Sequence, residues 1–110
     1  MSAVIIDGRS VAAAVRAEVG ERARVLTAAG IRPGLGVVLC GDDPGSVIYV
    51  RNKGRAAEEL GLRVDQRTPP ADSSTADIVR VVQEMNDDDG IDGILVQLPL
   101  PSQIDPDAVL

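Results

Sequence analysis

An α/β domain of three layers, with helices alternating with the strands of a small parallel sheet, is the fold class this sequence predicts. Three observations carry it. Short strand-like runs recur: apolar at Leu35–Cys40 and Ile94–Val96, alternating apolar and polar at Leu62–Arg67. A segment with helical spacing of apolar residues precedes each of them. Clusters of Gly, Pro and Asp separate the two kinds of segment. Helix and strand thus alternate three times, and right-handed crossovers make such strands parallel.

Val4-Ile5-Ile6 is a short apolar start, closed by Asp7-Gly8. From Ser10 to about Ala29 the spacing predicts a helix with Val11, Val15, Val19 and Leu26 on one stripe; Arg22 interrupts it. Gly30 stands where a left-handed cap is expected. Pro33-Gly34 breaks the chain, and Leu35–Cys40 reads as a fully buried strand. Gly41-Asp42-Asp43-Pro44-Gly45 stops that strand and turns the chain. Ser46 is the expected N-cap of the next helix, because its hydroxyl can accept from a free first-turn amide. Val50, Ala57 and Leu60 are its core positions, and Gly61 ends it. Leu62–Arg67 alternates apolar and polar residues, as a half-exposed edge strand does. After the Pro69-Pro70 loop, Ser74 and Asp77 form a capping box with Asp in place of Glu. Ile78, Val81, Val82 and Met85 follow at helical spacing, up to Asn86-Asp87-Asp88-Asp89-Gly90. Ile94–Val96 is the third strand, and Leu98-Pro99-Leu100-Pro101 leaves it in an extended turn. Asp105-Pro106-Asp107 reads as the cap and first turn of a further helix. With the chain ending at Leu110, the expectation is a piece of a longer protein.

A length of 110 residues, 45% apolar and 25% charged, fits one soluble domain. Its core must come from Val, Leu, Ile and Ala, because Tyr49 is the single aromatic residue. A net charge of −6 with one ring argues against nucleic acid and anionic membranes as partners. The lone Cys40 sits in an apolar run and reads as a buried core thiol, which leaves no disulfide or cysteine cluster. Without histidine, an ordinary zinc site and a Ser-His-Asp triad are both excluded. No secretory leader or apolar run near 18 residues is present, so the cytoplasm is the expected compartment.

Open α/β sheets bind ligands beyond the carboxyl ends of their strands. Two segments fall there: the Gly41–Lys53 turn and helix, and Gln97 with Leu98–Pro101. Tyr49 and Lys53 are four residues apart on a helix, hence on one face and about 6 Å apart along the axis. A ring and an amine side by side suit a small-molecule site. Each also has a plainer reading: Lys53 as an exposed helix lysine, Tyr49 as a ring packed on the domain edge. Gln97 either accepts a hydrogen bond from Lys53 and orients its amine, or caps loose backbone groups. Asp42 and Asp43 before a proline read as a turn, with a divalent ion as the other possibility. The acids at 87–89 read as a solvated helix end.

The run from Gly41 through Lys53 to Gly61, and the block Asp92-Gly93-Ile94-Leu95-Val96-Gln97-Leu98-Pro99-Leu100-Pro101, resemble two signatures of one family. With the Pro33-Gly34-Leu35 lead-in they cover nearly the whole chain. The chain resembles the N-terminal catalytic domain of the bifunctional methylenetetrahydrofolate dehydrogenase/methenyltetrahydrofolate cyclohydrolases. That resemblance implies residues 1–110 are the tetrahydrofolate-binding part of a two-domain, homodimeric enzyme, with the NADP-binding domain lying beyond them. It implies NADP-dependent oxidation of 5,10-methylenetetrahydrofolate, then hydrolysis to 10-formyltetrahydrofolate. Lys53 would be the catalytic amine, Gln97 would hold and tune it, and Tyr49 would stack on the folate. Ser46 would shape the wall, and Val96, Leu98, Pro99, Leu100 and Pro101 would line the pocket.

Two departures matter. Gln103 stands where that family usually has His, at the pocket rim. The chain also stops before the family's substrate-anchoring Asp, and no G-x-G-x-x-G occurs in it. The isolated 110 residues are therefore expected to turn over neither reaction. The rival reading is a non-catalytic α/β module that binds folate or another protein. A short-chain dehydrogenase also uses Tyr-x-x-x-Lys, but no dinucleotide fingerprint precedes Tyr49. A phosphoacceptor receiver domain fails because no acceptor Asp ends the last strand.

Overall fold

The computed structural model describes residues 2–110. Element order is α1 (Gly8–Ala28), β1 (Gly34–Val38), α2 (Pro44–Glu59), β2 (Arg63–Arg67), α3 (Thr75–Asn86), β3 (Gly93–Val96) and α4 (Pro106–Val109). The three strands form one parallel sheet in the order β2-β1-β3. β1 is central, with Gly36 opposite Asp65 on one side and Ile94 on the other. The order reverses direction after β2, so the two crossovers place α2 and α3 on opposite faces. Side-chain alternation along β1 serves both. Val37 and Leu39 pack with Val50 of α2, while Cys40 packs with Ile78 of α3, Ile104 and Val109. The predicted α/β layering is thus the observed one.

Local signals account for the element ends. Gly30 and Gly61 follow α1 and α2 with φ of 89° and 85°, the left-handed region where a Cβ is costly. In the capping box the Ser74 hydroxyl accepts from the Asp77 amide at 3.1 Å, and the Asp77 carboxylate accepts from the Ser74 amide at 3.0 Å. Those bonds hold the Asp77 carboxyl below its ordinary range. Removing the hydroxyl in Ser74→Ala is expected to cost about 1 kcal/mol. A thermal melt checks it, with the midpoint expected to fall by roughly 4–8 °C.

Two caps differ from expectation. α1 begins at Gly8, not Ser10, because the Asp7 carboxylate accepts from the Arg9 and Ser10 amides. α2 begins at Pro44, and its N-cap is Asp43, whose carboxylate accepts from the Ser46 amide at 3.0 Å. Proline has the φ a first helical residue needs and no N–H to satisfy, so Pro44 pulls the start forward and leaves Ser46 inside the first turn.

The stripe on α1 also differs. Ala23 is its one buried residue, while Val11 and Val15 are each 53% exposed. α2 and α3 already occupy the two sheet faces, so α1 meets the rest through its C-terminal half, with Gly20 against Leu60. Val4, Ile5 and Ile6 belong to no helix or strand and are exposed. The radius of gyration, 16.5 Å, accordingly exceeds the roughly 13 Å usual for this length. The acid run after α3 is more than a solvated end: Asp88 accepts from Arg63 at 3.2 Å and from the Gly90 amide at 2.8 Å. The Gly90 bond, then Arg63, lowers its pKa.

Candidate functional site

The carboxyl ends of β1 and β3 lie side by side, because Val38 pairs with Val96 and the Gln97 amide donates to the Val38 carbonyl at 2.9 Å. β1 feeds the turn into α2; β3 feeds Gln97 and the proline segment. Lys53, three turns into α2, thereby meets Gln97 from 44 residues away: its Nζ donates to Gln97 Oε1 at 3.0 Å. Gln97 is only 9% exposed, and its Nε2 donates to the Leu98 carbonyl at 2.9 Å. That second bond settles which end of the carboxamide faces Lys53. Both readings of Gln97 hold at once, one at each end of the group. A buried, doubly bonded amide is a rigid acceptor, so it gives the Lys53 ammonium one direction while leaving it two further N–H donors.

Tyr49 lies one helical turn before Lys53, with 62% of its surface exposed. Its ring is open to a ligand rather than packed on the domain edge. Ser46 is 3% exposed, inside the first turn beneath that face. Val96 is half-buried against the Cys40–Ile78 cluster, so it contributes to the core as well as to the strand end. Leu98 is 47% exposed and precedes a cis peptide bond to Pro99, which the sequence did not reveal. Leu100 packs partly on the same cluster.

A hollow of about 280 Å³ opens here, lined by Cys40, Gly41, Asp42, Asp43, Ala71 and Pro99–Pro101. Tyr49 and Lys53 are not in its lining. A larger hollow of about 730 Å³ lies between α1 and the end of α2, away from the strand ends; the charged pair in its lining, Glu21 with Arg24 at 2.6 Å, is an exposed pair one turn apart on a single helix. Size alone does not place chemistry.

Asp43 is engaged as a helix cap, which accounts for an acid before Pro44 without a metal. Burial pushes the Cys40 thiol up, so it stays protonated, and its Sγ donates to the Pro70 carbonyl at 3.3 Å. Sequence reasoning missed the 68–73 loop as a wall. Pro69-Pro70 marked a loop but gave no sign that Ala71 faces Pro99–Pro101.

Residues 6–110 match the family described as tetrahydrofolate dehydrogenase/cyclohydrolase, catalytic domain. The bifunctional protein FolD of Moorella thermoacetica is 51% identical over all 110 residues, and that of Cupriavidus metallidurans 53%. The chain spans 39% of the length of each. Among solved structures, FolD from Campylobacter jejuni superposes with a TM-score of 0.90 at 35% identity, covering 94% of this chain and 36% of that one. The Trypanosoma brucei enzyme, solved with NADP cofactor and inhibitor, also reaches 0.90, at 39% identity, covering 99% of this chain and 38% of that one. With a matched region of this extent and a fold this close, the chain belongs to the tetrahydrofolate dehydrogenase/cyclohydrolase family, within its catalytic domain.

Proposed function

We propose that this domain is the folate-binding, proton-moving part of an enzyme that oxidises 5,10-methylenetetrahydrofolate with NADP and hydrolyses the methenyl product to 10-formyltetrahydrofolate. The single observation that carries the reading is the Lys53–Gln97 pair, held at 3.0 Å at the carboxyl ends of the strands. In the hydrolytic step, water adds to the methenyl carbon and gives up both protons as its oxygen becomes the formyl carbonyl; the ring nitrogen that leaves takes one and solvent takes the other. An amine fixed by a buried acceptor and carrying further N–H bonds suits that exchange. Tyr49 offers its exposed ring to the flat part of the folate. Leu98–Pro101 form the wall on which the substrate lies, with Ser46 and Val96 shaping it from behind.

The residues present do not fit NADP. No strand in this chain leads into a Gly-rich fingerprint, and the β1–α2 turn carries Asp42 and Asp43, whose carboxylates would repel a pyrophosphate. The nucleotide therefore belongs to a part of the protein outside residues 1–110, as the NADP-bound Trypanosoma brucei relative allows. We read the complete protein as a cytoplasmic homodimer of one-carbon metabolism. That extension rests on the family resemblance, and on there being, among the described residues, no helix long and apolar enough to cross a membrane.

The test is an absorbance assay of methenyltetrahydrofolate formation with NADP, and of its decay, on the complete polypeptide carrying this domain. Absence of both activities, with folate binding retained, would favour a non-catalytic module. Tyr49→Ala in the same protein is expected to raise the folate KM by roughly 5- to 30-fold with a smaller change in kcat, from a lost stacking contact of about 1–2 kcal/mol.

A further inference from the structure

Two loops face one another across the 280 Å³ hollow: Ala71 on one side, Pro99–Pro101 on the other. Neither is part of the sheet, so its ladder does not hold their separation. One side chain joins them. Gln103 Nε2 donates to the Ala71 carbonyl at 2.7 Å and to the Ser73 carbonyl at 2.9 Å. A carboxamide has two N–H donors on that nitrogen, and both are used.

The surroundings make the joint stiff on both sides. Ser73 is buried, and its hydroxyl and amide both donate to the Pro70 carbonyl, at 2.6 and 3.0 Å. The Gly41 amide donates to the Pro69 carbonyl at 2.9 Å, tying the same loop to the end of β1. On the other side the Ile104 side chain is anchored in the core, and its amide donates to the Pro101 carbonyl at 3.0 Å. The Asp105 amide donates to Thr75 Oγ1 at 2.9 Å. Gln103, itself outside the lining of the hollow, thus links two braced segments that each contribute to its walls.

We propose that Gln103 is a positioning residue for the folate substrate: by donating to Ala71 and Ser73 it sets the width between the 68–73 loop and the Leu98–Pro101 wall. It touches neither the Lys53 amine nor Gln97. It rests on the folate reading of this site, and acts through the wall rather than on the reacting atoms.

Three variants of the complete enzyme test it. Gln103→Met keeps the length of the side chain and removes both donors. Gln103→Glu also keeps the shape but sets a carboxylate oxygen against two carbonyl oxygens. Gln103→His restores one ring N–H donor at a similar reach. Steady-state kinetics of methenyltetrahydrofolate hydrolysis, well below each variant's melting temperature, should give a folate KM raised about 3- to 10-fold in Gln103→Met with kcat nearly unchanged. Gln103→Glu should be raised further, and Gln103→His should fall between wild type and Gln103→Met. Amide hydrogen exchange on the folded proteins should show faster exchange at residues 71–73 in Gln103→Met and Gln103→Glu. A pure loss of stability would lower the melting point without this split between KM and kcat. Wild-type turnover together with an unchanged KM in Gln103→Met and Gln103→Glu, or a Gln103→His no better than Gln103→Met, overturns the clamp alone. Absence of both wild-type hydrolysis and folate binding overturns the folate reading, and the positioning role with it.

Discussion

Replacing Lys53 by methionine in the complete protein is expected to slow methenyltetrahydrofolate hydrolysis by roughly 10²–10⁴-fold, the usual cost of losing one positioned acid–base group. A thioether neither gives nor takes a proton, yet fills a similar volume, so the change acts on chemistry more than on packing. Gln97 would lose the donor its Oε1 now accepts from at 3.0 Å, but its Nε2 would still hold Leu98. The loop should therefore stay in place and folate binding should suffer less than turnover. Gln97→Ala should weaken the same step by a smaller factor, because the amine remains and only its direction is lost. NADP-dependent oxidation should fall less than hydrolysis in Lys53→Met, since hydride transfer calls for orientation rather than proton exchange at this amine. The decay of the methenyl absorbance reads the effect directly, and hydrolysis at the wild-type rate would remove Lys53 from its role.

Gly34→Ala is expected to destabilise the domain by roughly 3 kcal/mol or more, a large part of the 5–15 kcal/mol typical of a whole domain. A Cβ at Gly34 would fall on the Gly90 carbonyl oxygen, which is backbone and cannot swing aside as a side chain can. The contact is pinned twice by Asp92: its carboxylate accepts from the Gly34 amide at 2.9 Å, and its own amide donates to the Gly34 carbonyl at 2.8 Å. Gly36→Ala supplies the comparison. Its Cβ would meet the Met85 sulfur at 2.8 Å, the far end of a flexible side chain that can swing aside. Urea unfolding should thus show a much larger loss for Gly34→Ala than for Gly36→Ala. Equal midpoints for Gly34→Ala and wild type would mean that the loop after α3 does not sit on the first residue of β1.

Signals complete within a few residues were legible in the sequence. The Ser74–Asp77 capping box and the left-handed Gly30 each depend on neighbours in the chain, and the structure keeps both. β2 is an edge strand as read, but it is half-buried along its length except at Gln66 rather than alternating. The same locality placed Tyr49 and Lys53 on one helix face and sent Gln97 to the end of β3. Where two local signals competed, the sequence reading chose wrongly: Ser46 was the better-looking cap, but Pro44 had already begun the helix and left capping to Asp43. What the sequence alone determined, then, was the order and type of the elements and the strand ends where chemistry could sit. The tertiary structure decided which apolar faces are covered, because a sheet has only two. α2 and α3 take both, and the stripe of α1 is left outside them. It also decided every contact that closes the site. Lys53 finds Gln97 across 44 residues, and Gln103 finds Ser73 and Ala71 across 30 and 32. No periodicity encodes such pairs; they arise from the parallel register of β1 with β3, which brings distant loops to one end of the sheet.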